Sequence, residues 1–240
     1  MFGTSPMNIL SIILGRYIPP YVMNQLRFEW HVWRNAIHTS RQRKALAGSK
    51  SLYVNIGAGD SGRDGWVNVD AYPQPGINCL WDCRKGLPFQ PESVKGLFAE
   101  HVFEHLDYFS EVPVFLASVF RALEPGGTVR LIVPDARKYM LGYLSDDWSE
   151  LARTRPLLSG NFDPFSRRRF ETKMELINEV FRQGTEHKFA WDFETMQLVM
   201  ARAGFSEIRQ CEFAAGSDPD LLIDSPNRAP ESLYVEARKI

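Results

Sequence analysis

The chain reads as an α/β protein built on a mainly parallel sheet, and three observations point that way. From residue 51 onward, short β-type runs alternate with amphipathic helical segments. A glycine-rich loop follows the first of those runs at once. Of the 240 residues, 44% are apolar and 24% charged, which supplies a real core and sets aside disordered, collagen-like, low-complexity and coiled-coil classes.

The first element is an arm over residues 1–50. It mixes Ile12, Ile13, Leu14, Tyr17, Val22, Leu26, Phe28, Trp30 and Trp33 with spaced arginines, as an amphipathic helix does, and Pro19 and Pro20 break it in two. The arm is electrostatically separate: it carries +6 against −7 for the rest, although the whole chain sums to −1. That near-neutral total argues against nucleic acid as a partner. The arm either docks on a membrane or partner protein or packs over a cofactor pocket or the sheet. Its apolar stretch 9–14 is too short to cross a bilayer, and no basic segment precedes it as in a signal peptide. Cys79, Cys83 and Cys211 show no Cys-x-x-Cys spacing and suit a reducing compartment. The expected location is the cytoplasm, with peripheral contact to the inner membrane face through the arm.

Strands are expected over residues 52–56, 66–69, 77–80, 97–99, 128–133, about 207–213, and 233–237. The last two are expected to add an antiparallel edge. A helix over 110–123 places Val114, Phe115, Ala117, Val119 and Leu123 at helical spacing and stops at Glu124-Pro125-Gly126-Gly127. A second, over about 192–203, carries Phe193, Met196, Val199, Met200 and Ala203 and stops at Gly204. Between them, about 136–185, lies a basic, aromatic, poorly periodic stretch that reads as an insertion or lid. Its Arg167, Arg168 and Arg169 either clamp a phosphate or carboxylate on an acceptor or form a solvated face. The organisation is thus an arm (1–50) and one domain (51–240).

In the loop Asn55-Ile56-Gly57-Ala58-Gly59-Asp60-Ser61-Gly62, three glycines match G-x-G-x-x-G. A dinucleotide site also needs a helix opening at the loop and an acidic residue about 20 positions on. Here only 11 positions separate Gly59 from Asp70, and Arg63-Asp64-Gly65 already turns into the next strand. That interval has no room for a helix, so the pyrophosphate seat is missing while the carboxylate for ribose hydroxyls remains. A nucleoside cofactor without phosphates, such as S-adenosylmethionine, meets both conditions. Asp82, ending the next strand, offers a second carboxylate for an adenine amino group.

The series Val54-Asn55-Ile56-Gly57-Ala58-Gly59, Gly65-Trp66-Val67-Asn68-Val69-Asp70, Asp82, Leu87-Pro88-Phe89, Glu100-His101-Val102-Phe103-Glu104-His105-Leu106, Leu123-Glu124-Pro125-Gly126-Gly127 and Val133-Pro134-Asp135 resembles class I S-adenosylmethionine-dependent methyltransferases. It is most similar to those with a shortened first helix, often associated with polysaccharide and glycolipid assembly. The resemblance spans residues 51–240. It implies a Rossmann-like sheet of seven mostly parallel strands with the last antiparallel, and a cofactor at the strand carboxyl ends. The binding set it implies is Asn55, Gly57, Ala58, Gly59, Asp70, Ala71, Asp82, Cys83 and Glu100. This sequence departs from the wider pattern at Ser93-Val94-Lys95-Gly96, where a serine followed by Phe-Asp is usual before the fourth strand.

His101, Glu104 and His105 follow the fourth strand, where that family presents the activated methyl group. In-line transfer needs an aligned acceptor and, for a hydroxyl, a base, for which neutral histidine is suited near pH 7. His101 is the first candidate and His105 the second; Glu104-His105 also reads as a brace for the following helix. Asp135 and His187 are further candidates, each with a turn or surface reading beside it. His-x-x-Glu-His has a metal-binding form too, but the protease version needs a long uninterrupted helix rather than a strand-to-helix joint, so no metal is assigned. The expected function is methyl transfer to a sugar or glycolipid acceptor; the alternatives are a small non-sugar metabolite, or a scaffold that binds cofactor without turnover.

Overall fold

The computed structural model describes residues 18–35, 39–157 and 160–240. Ile12, Ile13, Leu14 and Tyr17 of the arm lie outside the described residues. Two helices, α1 (Pro20–Asn35) and α2 (Thr39–Leu46), precede the sheet. Pro20 opens α1 at the first helical position, where a missing N–H costs no intrahelical bond and the fixed φ suits the helix. Among the described residues, no helix is long and apolar enough to cross a membrane.

Seven strands form one sheet: β1 (Leu52–Ile56), β2 (Val67–Asp70), β3 (Cys79–Leu80), β4 (Val94–Glu100), β5 (Leu123–Pro134), β8 (Ser206–Cys211) and β9 (Ser232–Arg238). Their order across the sheet is β3-β2-β1-β4-β5-β9-β8. β1 to β5 pair in parallel, while β9 runs antiparallel to both β5 and β8. The antiparallel strand is therefore interior, and β8 forms the edge. Strands β1, β4 and β5 are buried on both faces, which is why they read as continuous apolar runs rather than alternating ones. The Glu124-Pro125-Gly126-Gly127 turn falls inside β5 as a bulge: Val94 pairs with Leu123, yet Gly96 pairs with Thr128.

One face of the sheet is covered by α3 (Val112–Ala122) and α7 (Phe193–Arg202). Val112, Phe115, Leu116, Val119 and Ala122 all point inward from α3, the stripe an amphipathic helix needs. Each large side chain fully buried there contributes about 1.5–3 kcal/mol of transfer free energy. Asp192 caps α7 by accepting from the Thr195 N–H.

Residues 57–66 contain turns only, with no helix between β1 and β2. The Asn68 side chain holds this connection, accepting from the Arg63 N–H and donating to the carbonyls of Arg63 and Gly76. Gly62 lies against the Gly76 backbone, where a Cβ would sit 2.9 Å from the Gly76 oxygen.

The 136–185 stretch is not an irregular loop. It folds into α4 (Ala136–Leu144), α5 (Ser149–Thr154), a small hairpin of β6 (Phe162–Asp163) and β7 (Arg168–Arg169), and α6 (Lys173–Arg182). These pieces share a core of Tyr139, Leu151, Phe170, Leu176 and Val180. Buried Arg155 ties that core to the sheet, 2.9 Å from Asp163 and 3.6 Å from Glu231, which immediately precedes β9. Arg168 and Arg169 sit on the exposed hairpin, bonded to Glu179 and Asn161.

Candidate active site

The glycine loop is fastened to the end of β2. The N–H groups of Gly57 and Ala58 both donate to the Val69 carbonyl, at 2.8 and 3.1 Å. The Gly59 N–H donates to Asp70 Oδ2 at 3.0 Å, and the Tyr72 N–H to Asp70 Oδ1 at 2.8 Å. A carboxylate has about four lone-pair sites, so Asp70 keeps two for further donors such as vicinal hydroxyls. Gly57 must be glycine twice over: its φ is +67°, and a Cβ would come within 2.1 Å of the Val102 side chain. This contact brings the loop against the joint after β4, so the two halves of the candidate site are adjacent. Asn55 braces the loop from β1 by donating to the Ser61 carbonyl.

Helix α1 lies against the ends of β2 and β3. Asn35 donates to the Ala71 carbonyl at 2.9 Å, and His31 stacks on Tyr72 with ring centroids 4.5 Å apart. Glu29 pairs with Arg84 at 2.6 Å, and the Arg84 guanidinium sits over the Phe28 ring. The described half of the arm thus packs beside the glycine-loop side of the site, while Leu26, Trp30 and Trp33 stay exposed.

Asp82 caps the single turn Cys83–Lys85 and grips Arg84 in a two-pronged fork, Nε and Nη2 each at 2.9 Å. Burial pushes the Asp82 carboxyl up, but Arg84 pulls it net below the usual aspartate value. Burial raises the neighbouring Cys83 thiol to about 12, so it stays a neutral thiol. Glu100 accepts from both the N–H and the hydroxyl of Ser225, which pins the chain leading into β9. The carboxylates of Asp82 and Glu100 are thus engaged within the protein, and Asp70 is the acid left at the loop with acceptor sites to spare.

Three of the predicted residues, His101, His105 and His187, meet around one buried carboxylate, Glu104. His101 follows β4 directly with φ +53°, an uncommon backbone for a residue other than glycine. Its Nε2 lies 2.9 Å from Ser232 Oγ, and its Nδ1 lies 3.4 Å from Glu104 Oε1. His187 approaches from the far side of the sequence because the amides of Lys188 and Phe189 donate to the Glu104 carbonyl. Its Nε2 stands 3.8 Å from Glu104 Oε1, and His105 meets His187 edge-on at 4.7 Å between centroids. Burial alone pushes the Glu104 carboxyl up, yet His101 first, then His105 and His187, bring it net below its ordinary value. Burial lowers His187 below the usual histidine value.

Asp135 sits apart in role. It caps α4, accepting from the Arg137 and Lys138 N–H groups, and burial raises its carboxyl above the usual value. Ser232 and Ser225 were not legible in the sequence, because each reaches its partner through tertiary folding; Ser232 and His101 are 131 residues apart, and Ser225 and Glu100 are 125 apart.

No family model matches the chain, and no curated protein matches it. Solved structures do. A SAM-dependent methyltransferase from Archaeoglobus fulgidus superposes with a TM-score of 0.50 at 17% identity, over 92% of this chain and 100% of that one. An S-adenosylmethionine-dependent methyltransferase from Mesorhizobium loti gives 0.46 at 18% identity, over 82% and 95% of the two chains. At 17% identity the first likeness speaks to the fold, and it agrees with the seven-stranded sheet and its single antiparallel strand.

Proposed function

We propose that this chain is an S-adenosylmethionine-dependent methyltransferase acting on a hydroxyl group, with a sugar or glycolipid as the acceptor class. The observation that carries the proposal is the glycine loop that turns straight into β2 without a helix and is hydrogen-bonded to Asp70 at the strand carboxyl ends. A diphosphate finds no helix N-terminus there, while a ribose finds a carboxylate with free acceptor sites. The acceptor class rests on the sequence resemblance alone, and the preference for oxygen rests on the presence of a histidine built like a base.

The backbone of residues 57–59 would line the amino-acid end of the cofactor, Asp70 would take its ribose hydroxyls, and Ala71 and Cys83 would flank its adenine. The chemistry available from the bound cofactor is an electrophilic methyl on a sulfonium. His101 supplies the complementary half. In the neutral ring one nitrogen carries the hydrogen and the other keeps the lone pair that receives a proton. Ser232 Oγ gives its own hydrogen to the Arg228 carbonyl at 2.8 Å and so accepts from His101 Nε2–H at 2.9 Å, which holds the ring in place and leaves the lone pair on Nδ1, 3.4 Å from Glu104 Oε1.

Thermal unfolding with S-adenosylhomocysteine tests the binding half. At 100 times its dissociation constant the ligand adds about 2.7 kcal/mol, which for a chain this long raises the melting temperature by about 5–10 °C. Asp70→Ala should remove that rise. His101→Ala should keep it while lowering turnover about 100-fold or more. A melting temperature that ignores S-adenosylhomocysteine but responds to NAD would overturn the reading.

A further inference from the structure

The same buried carboxylate has a second peculiarity. Both oxygens of Glu104 are buried and lack a hydrogen-bond partner, which for a carboxylate costs several kcal/mol unless something compensates. The hollow between Glu104, Val180, Phe181, His187, Phe189 and Ala190 does not admit a water molecule. Opposite Glu104 stands an imidazole with its orientation already decided. His187 Nδ1 is 2.6 Å from the Val180 carbonyl, which only accepts, so Nδ1 carries a hydrogen and, in the neutral ring, the Nε2 lone pair faces Glu104. Two lone pairs thus confront each other at 3.8 Å inside the protein.

A metal ion resolves this confrontation. Oxygen and nitrogen ligands each sit about 2.1 Å from a first-row ion, so two ligands separated by 3.8 Å span one without moving apart. His105 completes a set of three, all ligand atoms lying within 4.8 Å of one another, and a closing movement of its ring brings the three onto one ion. The Nδ1–H to Val180 carbonyl bond is the outer contact that ligating histidines ordinarily make.

We infer that Glu104, His105 and His187 form a binding site for a first-row divalent cation, of the zinc or cobalt class. Two imidazoles and one carboxylate disfavour magnesium and calcium, which prefer all-oxygen shells. Three protein ligands leave a position open for water or an oxygen ligand on the half-buried His105 side. The inference goes beyond methyl transfer and does not depend on it.

The test is a Co²⁺ titration of the full chain, purified without a polyhistidine tag and followed by visible absorption, with bound Zn²⁺ counted by mass spectrometry. One equivalent of Co²⁺ with intense visible bands, displaced by Zn²⁺, is the expected result. Glu104→Gln, His105→Ala and His187→Asn should each weaken it at least tenfold, and His31→Ala should not. His105 is half-buried, so its alanine variant retains the fold even where the other two lose it, as circular dichroism would confirm. Failure to bind either ion at millimolar concentration, or binding that survives His105→Ala in folded protein, overturns the site. The thermal response to S-adenosylhomocysteine is read separately, so loss of one result leaves the other standing.

Discussion

Asp135 shows how a residue with catalytic looks can be absorbed by the backbone. It ends a strand beside the candidate site, yet its carboxylate spends itself on the first amides of α4. Asparagine caps a helix about as well as aspartate, so Asp135→Asn should change stability by less than about 1 kcal/mol, and Asp135→Ala should cost about 1 kcal/mol. Turnover of Asp135→Asn should stay within a few-fold of the parent; a loss of 100-fold would make the carboxylate a base. Steady-state assays beside urea unfolding separate the two. His101, Glu104 and His105 were legible as a group because they are neighbours in sequence. That His187 joins them was not, since nothing in the spacing shows that residues 188 and 189 will bond to the Glu104 carbonyl.

Among the elements, the strands were the most legible, because runs such as 52–56 and 233–237 are mostly apolar, each with a single polar residue, and match largely buried strands. The segment 136–185 was not, since its core is assembled from single residues on three helices and a hairpin. One signal was present: Thr172 and Glu175 form a capping box, with Thr172 accepting from the Glu175 N–H and Glu175 accepting from the Thr172 N–H. The ion pairs anchoring this segment make it acid-sensitive. Burial pushes Glu231 and Asp163 up, but Arg155, joined at Asp163 by Ser166, brings both below their ordinary values of 4.5 and 3.8. The unfolded chain therefore binds their protons more readily. Their contribution is fully present above those ordinary values and is lost as pH falls through the lowered folded ones. Urea unfolding should show stability falling from pH 5 to pH 3. Arg155→Met should cost about 3–5 kcal/mol at pH 7 by leaving the buried Asp163 without its guanidinium, while Glu231 keeps Arg228 at 2.7 Å. It should also weaken the acid dependence, because both carboxyls lose the Arg155 charge that lowers them.

At the scale of the whole molecule, the far face of the sheet is closed by a buried ion cluster set beside a small apolar cluster of Phe98, Ile132, Leu221 and Tyr234. Arg130 is fully buried on β5 and bonds Asp224, Glu236 and the carbonyls of Glu212 and Ala215, so the entire 212–225 excursion folds onto one guanidinium. Arg130→Met should destabilise the protein by about 3–5 kcal/mol in a single cooperative transition. Two separated transitions in urea would mean that the excursion is only loosely attached. The position of β9 has a temporal consequence as well. It is the last strand in chain order, yet it fills the gap between β5 and β8 and brings Ser232 to His101. While the chain is emerging from the ribosome, β5 offers an unpaired edge for about a hundred residues of synthesis, and the histidine has no serine to rest against. The His101–Ser232 contact therefore forms only once β9 has paired with β5, well after the strand that carries the histidine has been made.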